Sequence, residues 1–523
     1  MDLKNIHDIE TATQITRGEL FRLGVTLFFV VAIMIFTSIR VTTADSSILI
    51  VVAAIIGGYM AMNIGANDVA NNVGPAVGSR AMSLASAIIL AAVFEAAGAL
   101  IAGGDVVSTI KQGIIEPSMI SDDKDFIWVM MSGLLAGAIW LNIATAFGAP
   151  VSTTHTIVGG VLGAGLAAGG ADIANWDKVI AITAGWIFTP FIGGIIAAAF
   201  LYFIKHRITY RKEMIEAAME VVPLLVAGMA WAFSSYLLLK GLNKVIDINF
   251  WLALGIGGIL GLGTFFLVKP VILNAAKKLP NHKNSVNSLF TIPLILAAAL
   301  LSFAHGANDV ANAVGPLAAI HETIKSGSIA QQAYIPLWIM VVGAMGICLG
   351  LILYGPRIIR TVGIEITELD KMRAYCIAMA ASLTVIFASQ LGLPVSSTHI
   401  TVGAVFGVGF LREYIKRSYG GRIAEIRYHF SDTEVDEAEH FLEKFERAEL
   451  IGKQEMLMQL KQQSGKGNFN KKQIKSLQQV YNQELVKRSQ LLKIIAAWVI
   501  TVPMTGMLAA ILFYSITGLL LPQ

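Results

Sequence analysis

The chain has 523 residues, of which 55% are hydrophobic and only 14% are charged, and its mean hydropathy is +0.67. A soluble globular protein carries about a quarter charged residues, so the composition excludes that class and predicts a polytopic membrane protein. The net charge of +4 excludes nothing, because in a membrane protein the placement of the charges matters more than their sum.

Apolar segments of membrane-spanning length follow one another along most of the chain. Two further segments, 149–168 and 393–411, are apolar but rich in Gly, Ser and Thr, a composition that leaves open whether they cross the membrane fully or are broken or re-entrant helices. The two kinds of segment together predict an all-α polytopic membrane protein with about 12–13 transmembrane segments. The other segments are 18–39, 48–64, 83–103, 126–148, 179–204, 219–239, 250–268, 286–304, 334–354, 374–392 and 491–515.

The charges between these segments are unevenly distributed. With the N-terminus inside, the loops 205–218, 269–285 and 355–373 fall inside, and each contains four Lys or Arg residues. The loop 104–125 falls outside and contains five acidic residues against two lysines. The basic stretch 412–490 also falls inside. This pattern obeys the positive-inside rule and predicts a multi-pass protein of the plasma (inner) membrane, with a cytoplasmic N-terminus and a cytoplasmic 412–490 insertion.

Two motifs occur twice, in the same order. GANDVANNVGP begins at Gly65 and returns as GANDVANAVGP at Gly306, and PVSTTH begins at Pro150 and returns as PVSSTH at Pro394. The two offsets, 241 and 244 residues, are nearly equal, so we expect the whole membrane unit to be duplicated.

An odd number of predicted crossings separates equivalent segments, so the second copy is expected to be inverted. Inverted repeats are typical of secondary transporters, whose substrate sites lie near the bilayer midplane. The expected organisation is a first repeat with the N-terminal tail and a linking helix, a second repeat, a small helical cytoplasmic insertion, and the last transmembrane helix of the second repeat. The corresponding ranges are 1–240, 241–411, 412–490 and 491–523.

The first motif predicts a cation site. Gly65 and Gly306 would tolerate a helix interruption, whose exposed backbone groups can survive at membrane depth only where they line a cavity. A carboxylate at that depth is costly unless it faces a cation or protons. Amide and carboxylate oxygens together suit a hard cation such as Na⁺. The residues concerned are Asn67, Asp68, Asn308 and Asp309.

The second motif predicts an anion site. Its hydroxyl groups would lie beside free backbone N–H groups at the positive end of a helix, which is a favourable place for an anion. The hydroxyl residues are Ser152, Thr153, Thr154, Ser396, Ser397 and Thr398.

Three other polar residues lie in apolar surroundings. Glu95 is an intramembrane carboxylate and therefore a candidate for coupling. His155 and His399 could relay protons, but a structural histidine explains them equally well. For the duplicated Asn-Asp motifs, the alternative of a structural interhelical clamp is disfavoured by their repetition beside a matched second motif.

The paired motifs resemble the duplicated signature of the PiT family of inorganic phosphate transporters, and the resemblance covers both halves. It implies an inverted-repeat bundle that takes up phosphate with Na⁺ or H⁺. It also implies that Asn67, Asp68, Asn308 and Asp309 bind Na⁺, and that the two aspartates and the six hydroxyl residues contact phosphate. The family pattern has a second acidic residue before the second PVS[TS]TH motif, where this chain has Ala378.

The sequence therefore favours a secondary active transporter that imports inorganic phosphate with Na⁺ by alternating access, and not an enzyme. Proton-coupled phosphate or metal-phosphate symport, sulfate transport and a passive anion channel stay open as alternatives. A primary pump is disfavoured because no G-x-x-x-x-G-K-[ST] motif is present. The expected partners are phosphate, Na⁺ or a proton, and the lipid bilayer. No cofactor and no nucleic acid are expected, and self-association is left open.

Overall fold

The computed structural model describes residues 3–40, 44–120, 122–241, 246–327, 335–356, 359, 369–427 and 488–520. Within these ranges the chain is helical, and its β-structure is limited to one isolated bridge between Ile115 and Ala174. The helices are α1 (Leu3–Arg40), α2 (Ala44–Gly78), α3 (Leu84–Ala102), α4 (Gly104–Gln112), α5 (Asp123–Ala146), α6 (Thr153–Gly169), α7 (Trp176–Ile204), α8 (Met214–Lys240), α9 (Phe250–Ala276), α10 (Lys283–Leu289), α11 (Thr291–Asp309), α12 (Ala311–Ser326), α13 (Leu337–Leu353), α14 (Lys371–Gln390), α15 (Ser397–Arg427) and α16 (Arg488–Leu520).

Ten helical stretches among the described residues are long and apolar enough to cross a membrane, with α11 and α12 counted as one stretch, and α13 is a shorter apolar helix. The expectation of an all-α polytopic membrane protein is confirmed. The two Gly/Ser/Thr-rich segments contain α6 and α15, each of which begins after a non-helical turn.

Several of these helices start at polar caps, which explains where the apolar segments begin. The side chain of the cap accepts a hydrogen bond from a backbone N–H of the first turn, a group that has no partner within the helix. This is seen at Ser83 for α3, Asp122 for α5, Asn175 for α7, Asn249 for α9 and Asp370 for α14.

The two halves of the membrane region interlock. In one pair of contacts α2 packs against α13, and α3 packs against α11; in another, α6 packs against α16, and α7 packs against α15. Each member of a pair joins a helix of the first predicted repeat to a helix of the second. The duplicated contacts agree with a duplicated unit, whereas the inverted orientation and the domain boundaries stay predictions.

The expected helix interruption at Gly65 is wrong, because α2 continues without a break to Gly78. In the second copy a single residue, Val310, separates α11 from α12, and its backbone angles are helical (φ −56°, ψ −30°), so the chain is not interrupted at Gly306 either. Both glycines serve close packing instead. A Cβ at Gly65 would clash with the carbonyl oxygen of Ile347, and a Cβ at Gly306 would clash with that of Glu95.

The two ends of α7 mark opposite faces of the molecule. The bridge between Ile115 and Ala174 lies next to its N-terminal end. Its C-terminal end leads into Lys205, whose charge interacts with a group of other charged residues: Lys283, Arg373, Arg412 and Asp370. Those basic residues come from the loops that the sequence predicts to be inside, so the structure gathers them on one face. Most of the 412–490 insertion lies outside the described residues.

Candidate transport site

Asn67 ties α2 to the turn before α6. Its Nδ2 donates to Thr145 Oγ1 at 3.1 Å and to the carbonyl oxygen of Ala149 at 3.2 Å. Its Oδ1 accepts from the backbone N–H of Val151 at 3.3 Å. The amide therefore holds the non-helical turn in place. An amide oxygen has two acceptor positions, so the second one on Oδ1 suits the Na⁺ contact predicted for this residue.

Asn308 makes the same contacts in the second half. Its Nδ2 donates to Ser389 Oγ at 2.9 Å and to the carbonyl oxygen of Leu393 at 3.2 Å. Its Oδ1 accepts from the backbone N–H of Val395 at 3.3 Å. Atom-for-atom repetition of this kind is the strongest structural sign that the two motif pairs form equivalent half-sites.

The first serine of each hydroxyl motif caps a helix. Ser152 Oγ accepts from the backbone N–H of His155 at 3.1 Å, and Ser396 Oγ accepts from that of His399 at 3.2 Å. All four side chains are buried. The positive N-terminal ends of α6 and α15 therefore lie inside the protein, where they would stabilise an anion.

Asp68 and Asp309 converge although they come from different halves. Thr153 Oγ1 lies 2.9 Å from Asp68 Oδ2 and 3.0 Å from Asp309 Oδ2. A hydroxyl has one proton and can donate to only one of these oxygens at a time. Two carboxylates placed so closely therefore need a cation or a proton between them.

Each half also sends an asparagine to the hydroxyls of the other half. Asn71 Nδ2 donates to Thr398 Oγ1 at 2.9 Å, and Thr398 Oγ1 lies 3.0 Å from Asp68 Oδ1. Asn312 Nδ2 donates to Thr154 Oγ1 at 3.2 Å. The sequence interpretation missed both asparagines, although they occupy the same place in the two GANDVAN motifs.

The remaining hydroxyls differ between the halves. Thr154 Oγ1 donates to the carbonyl oxygen of Val395 at 3.0 Å. The hydroxyl of Ser397, which is equivalent to Thr153, is buried without a hydrogen-bond partner among the described residues. All six hydroxyl residues predicted to contact phosphate are buried in the same region around the two turns.

His305 is the second feature that the sequence interpretation missed. Its Nε2 lies 3.3 Å from Asp309 Oδ2 and 3.6 Å from Asp68 Oδ2, while its Nδ1 lies 3.4 Å from Glu95 Oε2. Asn72 Nδ2 donates to Glu95 Oε1 at 2.8 Å. Glu95 is thus connected to both aspartates through one imidazole ring. The available signal was a difference between the copies, because the first motif is preceded by Ile64 where the second has His305.

The polar chain from Asn72 through Glu95 to His305 exists in only one half. Ala313 is the counterpart of Asn72 in the second motif. Gly306 lies against the backbone of Glu95, and the equivalent Gly65 lies against the backbone of Ile347. The counterpart of Glu95 is therefore Ile347, an apolar residue. Ala378, which stands where the family pattern has an acid, is buried, and its carbonyl oxygen accepts from Ser382 Oγ at 2.7 Å.

The cluster has the geometry to hold a cation. One possible ligand atom from each of Asp68, His305 and Asp309 lies within 4.8 Å of the others, and all three side chains are buried. Na⁺ favours oxygen ligands, which the aspartates and the nearby hydroxyls supply, whereas an imidazole nitrogen favours transition metals or a proton.

His155 and His399 lie in a different environment. Their rings meet at 4.4 Å between centroids, and each packs against a tryptophan: His155 against Trp186 at 3.8 Å, and His399 against Trp498 at 3.5 Å. This cluster of four rings joins α6 to α15. The packing favours the structural interpretation of the two histidines, and their role in coupling stays a prediction.

Known proteins resemble this chain in sequence and in fold. Residues 64–509 match the sequence profile of the Phosphate transporter family. A protein of Helicobacter pylori strain J99 described as "Putative phosphate permease" is 50% identical, over 99% of both chains. A relative from Pyrococcus furiosus with the same description is 37% identical over 71% of this chain and 88% of its own length.

A solved structure described as "The sodium-dependent phosphate transporter" superposes with a TM-score of 0.74 and 29% sequence identity, covering 90% of this chain and all of that one. Residues 64–509, which match the family profile, contain both Asn-Asp motifs and both hydroxyl motifs. The chain belongs to the phosphate transporter family.

Proposed function

We propose that this protein is a secondary active transporter that imports inorganic phosphate together with Na⁺ by alternating access. The observation that carries this proposal is the convergence of Asp68 and Asp309, one from each half, on the hydroxyl of Thr153. Because two carboxylates repel an anion, phosphate can bind here only if positive charge enters with it. Coupling is then a requirement of the charge balance.

Phosphate would bind between the two helix N-termini. The hydroxyls of Thr153 and Thr398 contact the aspartates, and we propose that they turn toward phosphate oxygens once a cation neutralises the carboxylates. The α6 and α15 N-termini supply backbone N–H groups and a favourable field. Asn67 and Asn308 hold the two turns and give a carbonyl-type oxygen to Na⁺.

Na⁺ is the favoured coupling ion. The ligand atoms around the aspartates are mainly oxygens, which suit Na⁺, and the similar solved structure is described as sodium-dependent. A proton is the second candidate. The observation in its favour is His305, whose two ring nitrogens lie between Glu95 on one side and the two aspartates on the other.

The membrane placement belongs to the same proposal. We place the protein in the plasma (inner) membrane as a multi-pass protein, with the face that carries Lys205 and its basic neighbours toward the cytoplasm. Phosphate then enters from the face that carries Ile115 and Ala174.

Uptake of radiolabelled phosphate into proteoliposomes tests the function. An inward Na⁺ gradient should drive accumulation above the outside concentration, and collapse of that gradient should release the accumulated phosphate. Full uptake in sodium-free buffer with only a pH gradient would show that the coupling ion is a proton and not Na⁺. Equilibration without accumulation under any gradient would indicate a passive anion channel.

A further inference from the structure

Lys111, in the last turn of α4, is buried without a partner. Only 5% of its surface is exposed, and its Nζ makes no hydrogen bond within the described part of the chain. A buried ammonium group is costly unless it is paired. A costly group of this kind often marks a place where a ligand of opposite charge binds.

Helix α4, which carries Lys111, contacts two elements of the transport site. Ile110 and Val107 lie against Gly315 of α12, so this face of α4 lies on α12. Thr109 Oγ1 donates to the carbonyl oxygen of Gly392 at 2.7 Å, in the turn that precedes α15. Helix α4 is therefore fixed both to the helix that carries Asn312 and to the turn that carries the second hydroxyl motif.

The far end of α12 adds further charged and polar groups. The carboxylate of Glu322 interacts electrostatically with Lys111. His321 interacts electrostatically with Glu322, Lys111 and Lys325. The Nδ1 of His321 is also buried without a hydrogen-bond partner among the described residues. Burial lowers the pKa of Lys111, and the charge of Glu322 opposes this shift. An anion beside Nζ would favour the charged ammonium.

The position of this group suits substrate entry. Residues 114 and 115 pair with the segment just before α7, whereas Lys205 follows the other end of that helix, about 43 Å away for 29 residues. Lys111 therefore lies on the face opposite to the basic one. Along α12, Glu322 is ten residues from Asn312, which corresponds to about 15 Å.

We propose that Lys111, together with His321, forms an entry site for the phosphate anion at the outer end of α12. The site rests on the proposed function, because it binds the same substrate before the substrate reaches the two aspartates. The ammonium donates charge-assisted hydrogen bonds to phosphate oxygens. A positive charge at this place also attracts anions and increases their rate of encounter with the protein.

Initial rates of labelled phosphate uptake test the entry site, measured in cells that lack other phosphate uptake systems and express each variant equally. Lys111→Met should raise the KM for phosphate about tenfold, the loss expected for one charge-assisted hydrogen bond, with the maximal rate within about twofold of the original. Lys111→Arg should restore the lower KM. Lys124→Gln, which removes an exposed cation of α5 outside this group, is the matched control and should leave the KM unchanged.

Thermal unfolding of the purified variants separates a binding role from a structural one. Lys111→Met removes a buried charge that has no hydrogen-bond partner among the described residues, so it should unfold at the same temperature as the original protein or a higher one. An unchanged KM in Lys111→Met, or an equal rise in Lys124→Gln, would overturn the entry site.

Failure of the proposed function would look different. In that case the unsubstituted protein itself would show no sodium-driven accumulation. Retention of labelled phosphate by the purified protein would then still test Lys111, because the entry site requires weaker retention by Lys111→Met, and equal retention would overturn it.

Discussion

Asp68 and Asp309 share a hydroxyl, a ring nitrogen and a buried position, and the proposed coupling depends on their charge. Asp68→Asn and Asp309→Asn should each lower sodium-driven phosphate uptake at least tenfold, because a buried charged contact contributes about 1.5–3 kcal/mol. Uptake is compared at equal membrane abundance. Near-normal uptake by either variant would mean that its carboxylate is structural. Glu216→Gln, which removes an exposed carboxylate of α8, serves as the control and should retain coupling.

His305 distinguishes Na⁺ from a proton as the coupling ion. His305→Gln keeps a polar side chain near Glu95 and the aspartates but cannot carry a proton at neutral pH. Under the sodium proposal, this variant should still concentrate phosphate when a Na⁺ gradient is imposed, with a changed sodium concentration for half-maximal uptake. Complete loss of sodium-driven uptake, together with full activity of the original protein on a pH gradient, would favour the proton. Asn72→Ala, which copies the second motif, is the milder control.

The residue types at the site were largely predictable, but their partners were not. Repetition pointed to Asn67, Asp68, Asn308 and Asp309, because only a shared task explains the same polar residues twice in an apolar setting. The contacts of the two asparagines with the turns depend on tertiary packing that local sequence does not encode. His305 was missed because the comparison of the two motifs concentrated on what they share, and His305 is where they differ.

At the scale of the helices, the duplicated glycines permit close packing. Gly65→Ala and Gly306→Ala would push a methyl group into the backbone of the facing helix. We expect each change to lower the stability by about 1–3 kcal/mol, the usual cost of overpacking, measured as a lower unfolding temperature in detergent. Gly263→Ala is the control: nothing lies within 4 Å of its added Cβ, so it should stabilise α9 by up to about 1 kcal/mol. Equal stability of Gly306→Ala and the original protein would contradict the packing role.

The start of α14 gives a pH-dependent prediction. Asp370 Oδ1 accepts from the backbone N–H of Arg373 at 2.9 Å, and its Oδ2 lies 3.0 Å from the guanidinium of Arg373. Burial alone would raise the pKa of Asp370, but Arg373 and Lys283 hold it below its ordinary value. The ion pair should therefore stabilise the protein above about pH 4, the ordinary pKa, and this contribution should disappear as the pH falls through the lower folded-state pKa.

Two variants separate the cap from the charge. Asp370→Asn keeps a capping side chain and loses only the ion pair, so its unfolding temperature should approach that of the original protein at low pH. Asp370→Ala loses the cap as well, and it should be less stable than Asp370→Asn by about 1 kcal/mol at every pH. A difference between Asp370→Asn and the original protein that grows as the pH falls would contradict the assignment.

Helix positions followed from the sequence better than helix breaks did. Apolar segments and polar caps located the spanning helices, since both are local properties. The continuity of the helices through Gly65 and Gly306 was not predictable from the motif, because a glycine permits an interruption but does not require one. Different packing partners around equivalent segments, such as Glu95 in one half and Ile347 in the other, distinguish the two copies.

For the whole molecule, the site chemistry favours phosphate over sulfate. At neutral pH phosphate keeps at least one O–H group, whereas sulfate has none, so sulfate would leave the acceptors Asp68 and Asp309 unpaired and repelled. Arsenate, which also keeps its protons, should block the uptake of labelled phosphate under a fixed sodium gradient. Sulfate in large excess should scarcely reduce it. Equal inhibition by sulfate would remove the acceptor argument and indicate a sulfate carrier.

Each half contributes an aspartate to one cluster and a helix N-terminus to the proposed anion site, so we expect that neither cation nor anion moves alone. In a symporter a gradient of either substrate must drive the other, because both occupy the same moving site.

The most direct measurement is therefore labelled Na⁺ entry into proteoliposomes with equal sodium on both sides, a membrane potential held at zero, and phosphate added only outside. We predict that the phosphate gradient drives a transient accumulation of labelled Na⁺ above its equilibrium level, and that Asp309→Asn abolishes it. Phosphate entry without any movement of labelled Na⁺ would contradict sodium-coupled transport.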